Sequence, residues 1–164
     1  MRGPGLIRGE EVGKIEMKSC TDEVLDNGIR ILIVDGYRPW RTAVSSLLRR
    51  EPSFHVVAEA GGGSEAVQMA SAFSPDVILM DIAMRGMNGL EASDRIRELS
   101  PTSKIVFFTE LRSASIAERA MFTGGSGYVL KSNAASELIP ALKAAFAGER
   151  FVSPSVSEPV RIAS

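Results

Sequence analysis

The 164-residue sequence holds one cysteine, one histidine and one tryptophan. Cys20 alone leaves no intramolecular disulfide to stabilise a small secreted scaffold, and a reducing, cytoplasmic setting fits. With His55 as the single histidine, far from Cys20 in the chain, a structural zinc site has too few of its usual ligands. No apolar run approaches the ~20 residues of a membrane-spanning helix, and the amino end lacks a secretory apolar region. An excess of one charge is missing too: 19 basic residues against 20 acidic ones give a net charge of −1. A broad basic surface for nucleic acid is therefore not expected.

What remains is an ordinary globular composition, 45% hydrophobic and 24% charged, of a length that suits one domain. Residues 1–28 mix glycine with both charge signs and show no sustained period, which predicts a flexible lead; Met17 stands as an alternative start to Met1. From residue 29 onward, short apolar runs alternate with helical patterns. The runs are ILIV (31–34), HVVAEA (55–60), VILM (77–80), KIVFF (104–108) and YVL (128–130). Between them, Trp40, Val44, Leu47 and Leu48, then Ala66, Ala70 and Phe73, then Ala92, Ile96 and Leu99, and finally Leu138, Leu142, Ala145 and Phe146 follow helical spacing. A weaker stripe, Ile116 with Ala120 and Met121, ends in GGSG, which suits a helix C-cap and a tight entry to the next strand.

Five strands alternating with helices predict an α/β fold with a parallel sheet. Near-continuous aliphatic strands imply cover on both faces, hence a doubly wound arrangement. Such sheets bind ligands beyond the carboxyl ends of their strands. The residues there are Asp35, Glu59, Asp81, Thr109 and Lys131. In the common flavodoxin-like order 2-1-3-4-5, Asp35, Asp81, Thr109 and Lys131 share one rim. Each has a plain structural explanation, since strands often end in polar turn residues. Together they combine a carboxylate nucleophile, a second acid able to help hold Mg²⁺, and a hydroxyl and an ammonium for a new oxyanion.

The chain resembles the receiver domains of two-component response regulators over about residues 29–153. IRILIVDGYRPWRTAVSSLL is similar to the family's first strand, acidic turn and first helix, and SPDVILMDIAMRGMNGLEASDRIRELSP to its phosphoacceptor segment. KIVFFTE and GGSGYVLKS match the segments of the switch hydroxyl, switch aromatic and site lysine. The resemblance implies Asp81 as phosphoacceptor, Thr109 and Tyr128 as switch residues, and Lys131 as the site lysine. It further implies Mg²⁺ held by Asp35, Asp81 and the backbone carbonyl of Ala83. A histidine kinase or phosphotransfer protein would donate the phosphoryl group. Thr109 would then move toward it, Tyr128 would turn inward, and a downstream protein would read the altered surface.

Three positions depart from the family pattern. Gly36 stands where a second acid usually touches the metal, Arg85 where proline usually follows the acceptor by four, and Glu110 where a small residue usually follows the switch hydroxyl. Glu110 would either repel a phosphate or replace the absent metal ligand, and Arg85 would either balance charge or point into water. A pseudo-receiver, a protein-binding module that needs no phosphate, is therefore the alternative. A nucleotide- or flavin-binding enzyme fits less well, because GGGS (61–64) follows the second strand rather than the first. A dehalogenase-type phosphotransferase would need an acid at Ala83.

SELIPALKAAFAGERFVSP resembles the last helix and exit of receivers that precede a helix-turn-helix domain, yet only a tail (151–164) follows the receiver (29–150). Sixteen residues after Gly148 do not make a DNA-binding unit, so a stand-alone receiver without direct DNA binding or membrane association is expected. Pro140 falls inside the last helical pattern, where a late helix start or a kink is expected.

Overall fold

The computed structural model describes residues 28–156. The expected flexible lead, save Gly28, lies outside them, as do Met17, Cys20 and the tail after Val156. Strands β1 (Ile29–Val34), β2 (Phe54–Ala60), β3 (Val77–Met80), β4 (Lys104–Thr109) and β5 (Gly127–Leu130) alternate with helices α1 (Arg38–Arg49), α2 (Gly63–Phe73), α3 (Gly89–Leu99), α4 (Ala114–Phe122) and α5 (Ala134–Phe146). All strand pairs are parallel. Their order is 2-1-3-4-5, extended by a sixth, β6 (Phe151–Val152), at the β5 edge. The sheet is thus one strand larger than the expected five. A two-residue strand is too short to give a periodic signal, and β6 exists because it pairs with β5. Ser153 fixes it: its amide donates to the Tyr128 carbonyl at 2.8 Å, and its hydroxyl accepts the Leu130 amide at 3.0 Å.

Alternation along the strands sorts two buried clusters onto the two faces. Ile31, Ile33, Val77, Leu79, Val106, Phe108 and Val129 pack with Val44 and Leu48 of α1 and with Leu138 and Leu142 of α5. Leu32, Val34, Ile78, Met80, Ile105, Phe107 and Tyr128 pack on the other face with small residues of α2, α3 and α4. Phe73, Leu99 and Phe146 end their helical stripes exposed. Each is the last residue of its helix.

Local chemistry explains the helix ends. Pro39 sits in the first turn of α1, where its fixed φ helps and its missing N–H costs nothing. Asn88 caps α3 by accepting the Glu91 amide at 2.9 Å, while its side-chain amide donates to the Glu91 carboxylate at 3.0 Å. After α4, Gly124 takes φ +108°, its amide donates to the Met121 carbonyl, and that of Gly125 to the Ala120 carbonyl. This pair of bonds is a Schellman closure, the stop expected from GGSG. The late start expected at Pro140 does not occur: a 3-10 turn (Lys131–Asn133) leads straight into α5, and Pro140 lies in its middle. The Ser136 carbonyl loses its helical donor there, but Ser136 and Pro140 are both exposed, so water can replace it.

Gly89 opens α3 directly against the loop that follows β3, and a Cβ there would overlap the Asp81 carbonyl. Gly89→Ala should therefore destabilise the fold by about 3 kcal/mol despite alanine's better helix propensity. A lowered urea midpoint with an unchanged slope would bear this out.

Candidate functional site

Register brings the rim residues together. Val34 pairs with Met80, so the next residues, Asp35 and Asp81, leave the sheet side by side. Thr109 pairs with Leu130, which places Lys131 one step beyond. Asp35, Asp81, Thr109 and Lys131 are all at least nine-tenths buried. They line one cavity of about 520 Å³, with Gly36, Trp40, Ala83, Arg85 and Glu110 also on its wall. Glu59 is exposed and lies apart, paired with Arg41 at 3.7 Å.

The Lys131 ammonium bridges the two acids. Its Nζ lies 2.6 Å from Asp35 Oδ2 and 3.2 Å from Asp81 Oδ2. The other carboxylate oxygens are held by the backbone: the Tyr37 amide donates to Asp35 Oδ1 and the Ile82 amide to Asp81 Oδ1, each at 2.8 Å. Arg41 anchors the same loop by donating to the Asp35 carbonyl at 2.7 Å. Trp40 and Phe108 flank the ammonium, with ring centroids 5.1 and 5.9 Å from Nζ. Desolvation by burial raises the pKa of Asp81; Lys131 opposes this, and the Asp35 charge adds to it.

Thr109 and Tyr128 converge on one backbone residue. Thr109 Oγ1 accepts the Leu111 amide at 3.2 Å, and the Tyr128 hydroxyl donates to the Leu111 carbonyl at 2.6 Å. Tyr128 is fully buried, so the inward position is already populated. Burial, then the nearby Asp81 charge, pushes its phenol up to about 12. Arg85 and Glu110 stand exposed at the mouth of the cavity, and neither joins an ion pair or hydrogen bond among the described residues. The backbone contributors, the Tyr37 and Ile82 amides and the Leu111 amide and carbonyl, have no signature in side-chain type. Phe108 reads as plain strand core.

Mg²⁺ suits this donor set. Two buried carboxylates share one ammonium, which leaves a negative charge uncompensated, and Mg²⁺ commonly takes one or two carboxylates and keeps several waters. Gly36 adds no side chain, and among the described residues no group of three or more His, Cys, Asp or Glu gathers anywhere.

A doubly wound, flavodoxin-like α/β protein belongs to the class that binds its ligands beyond the carboxyl edge of the sheet, where two acids, a hydroxyl and a lysine gather here. The comparisons narrow this class. The model of the response regulator receiver domain matches residues 31–143, and the chain belongs to that family of two-component signalling domains. It is 36% identical over 136 residues to the transcriptional regulatory protein DegU of Brevibacillus brevis, covering 83% of this chain and 58% of that one. It is 38% identical over 134 residues to the nitrate/nitrite response regulator NarL of Escherichia coli K12, covering 82% and 62%. The chain thus spans about three fifths of the length of these curated relatives. Among solved structures, a LuxR-family response regulator from Aurantimonas sp. SI85-9A1 superposes with TM-score 0.76 at 35% identity, covering 79% of this chain and 93% of that one. The response regulator domain of Thermotoga maritima CheB gives 0.69 at 27%, covering 73% and 97%. Among the described residues no helix is long and apolar enough to cross a membrane.

Two measurements test the electrostatics. Asp81 binds its proton more tightly folded than unfolded, so its contribution to stability is complete below the ordinary 3.8 and lost as pH rises through the raised value. Asp81→Asn should therefore raise the melting temperature at neutral pH, with the gain fading as pH approaches 3.8; an equal gain at both ends would contradict the assigned cause. At Gly36 an added Cβ meets its nearest atom only at 3.7 Å, so a side chain fits. Gly36→Asp should tighten Mg²⁺ binding about tenfold in calorimetric titration, equivalent to ~1.4 kcal/mol from one added carboxylate.

Proposed function

We propose that the chain is a receiver that accepts a phosphoryl group on Asp81 from a histidine kinase or phosphotransfer protein, in the cytoplasm, and passes its state to another protein. The observation that carries this reading is the buried Asp35–Lys131–Asp81 bridge, which brings two carboxylates and an ammonium into one cavity. An Asp81 carboxylate oxygen attacks the donor phosphorus, the phosphorus–nitrogen bond breaks, and the imidazole leaves with the electron pair. Lys131, already 3.2 Å from Asp81, stays within reach of the new phosphoryl oxygens. When bound at Asp35, Asp81 and the Ala83 carbonyl, Mg²⁺ supplies charge neutralisation there. Thr109 would donate its hydroxyl to the phosphoryl group and release the Leu111 amide, which loosens the loop that Tyr128 also holds.

A pseudo-receiver is the second reading, favoured by Gly36, which leaves the metal one carboxylate short of the family pattern. The two separate cleanly. Treated with Mg²⁺ and a small phosphodonor, the wild-type chain should gain the mass of one phosphoryl group and Asp81→Asn should gain nothing. An unchanged wild-type mass, together with no response of Trp40 emission to beryllofluoride, would leave the pseudo-receiver standing.

A further inference from the structure

We propose that Trp40 is a positioning residue: its indole holds the Lys131 ammonium between Asp35 and Asp81, and so sets how readily a divalent cation can take that place. The proposal deepens the phosphoacceptor reading and rests on it for the identity of the cation.

An ammonium has three donors. One is directed at Asp81 Oδ2 at 3.2 Å, Asp35 Oδ2 lies in ion-pair contact at 2.6 Å, and Nζ has no other oxygen partner among the described residues. Two aromatic rings also face Nζ, Trp40 at 5.1 Å and Phe108 at 5.9 Å. The two rings meet edge to face, 88° apart with centroids separated by 5.8 Å, so each fixes the other. Pro39 limits the backbone freedom of the helix start that carries Trp40. Lys131 is 6% exposed, and attraction between a cation and an aromatic face is strongest where water is excluded.

Competition follows from charge. The carboxylates that bind Lys131 are those that would hold Mg²⁺, so whatever favours the ammonium between them opposes the metal. Removing the indole face while keeping an apolar contact with Phe108 should weaken the hold on Lys131 and favour the metal. A purely packing role for Trp40 has the opposite sign, because a loosened cavity binds metal less well or no better.

The test is calorimetric titration of the full chain with Mg²⁺ alone. Trp40→Leu should bind about three- to tenfold more tightly than wild type, with Trp40→Phe in between. In a Lys131→Met background, where there is no ammonium to hold, Trp40→Leu should change affinity by less than about twofold. Weaker or unchanged binding in Trp40→Leu, the same change with and without Lys131, or no Mg²⁺ binding in either protein would each overturn the proposal. Should Trp40→Leu fail to melt cooperatively, Trp40→Phe keeps the same sign at about twofold, and its absence is equally fatal. No phosphodonor is used, so the outcome is separate from whether Asp81 accepts a phosphoryl group.

Discussion

One buried ammonium shared by two buried carboxylates is the constraint around which this pocket is arranged. Taking three charges out of water is costly, and the attraction between them offsets the cost only when geometry is good and the other lone pairs are satisfied. Here the backbone provides that satisfaction, through the Tyr37 and Ile82 amides. The balance is still incomplete, with two negative charges against one positive, and burial leaves Asp81 with a raised pKa. A pocket in this condition has a standing attraction for a further cation. The same imbalance keeps Lys131 close to Asp81.

The sheet and its helices hold these groups where they are. The parallel register between β1 and β3 puts two acids at one level, and β5 delivers the lysine from two strands away. Beyond the sheet, Leu111 links the hydroxyl of β4 to the phenol of β5 through the backbone amide and carbonyl of one residue. β6 adds a second tether on the far side of Tyr128, where Ser153 binds the Tyr128 carbonyl. A change at Thr109 therefore reaches a strand whose backbone is held on one side and whose side chain is held on the other.

The family departures sit around this pocket and alter its electrostatics without altering its frame. Gly36 removes a charge near Asp35, while Glu110 and Arg85 place opposite charges at the exposed mouth. In solvent such charges are screened and each contributes modestly. Trp40 differs in kind, because it reaches a desolvated ammonium directly.

Strand pattern, helix stripes, the glycine stop after α4 and the rim residues Asp35, Asp81, Thr109 and Lys131 were legible in the chain itself, since each depends on local periodicity or on the residue that ends a strand. The helix through Pro140, the sixth strand, the exposed helix ends at Phe73, Leu99 and Phe146, and the aromatic wall around Lys131 were not. Each of these depends on what lies opposite: open solvent at Ser136, a free edge of β5, the lack of cover over a helix's final turn, and the place where α1 and β4 bring two rings to one cation. Local sequence determines which groups a segment offers. Only tertiary packing decides which of them lose water together, and desolvation is what gives a lysine, two aspartates and an indole their hold on one another.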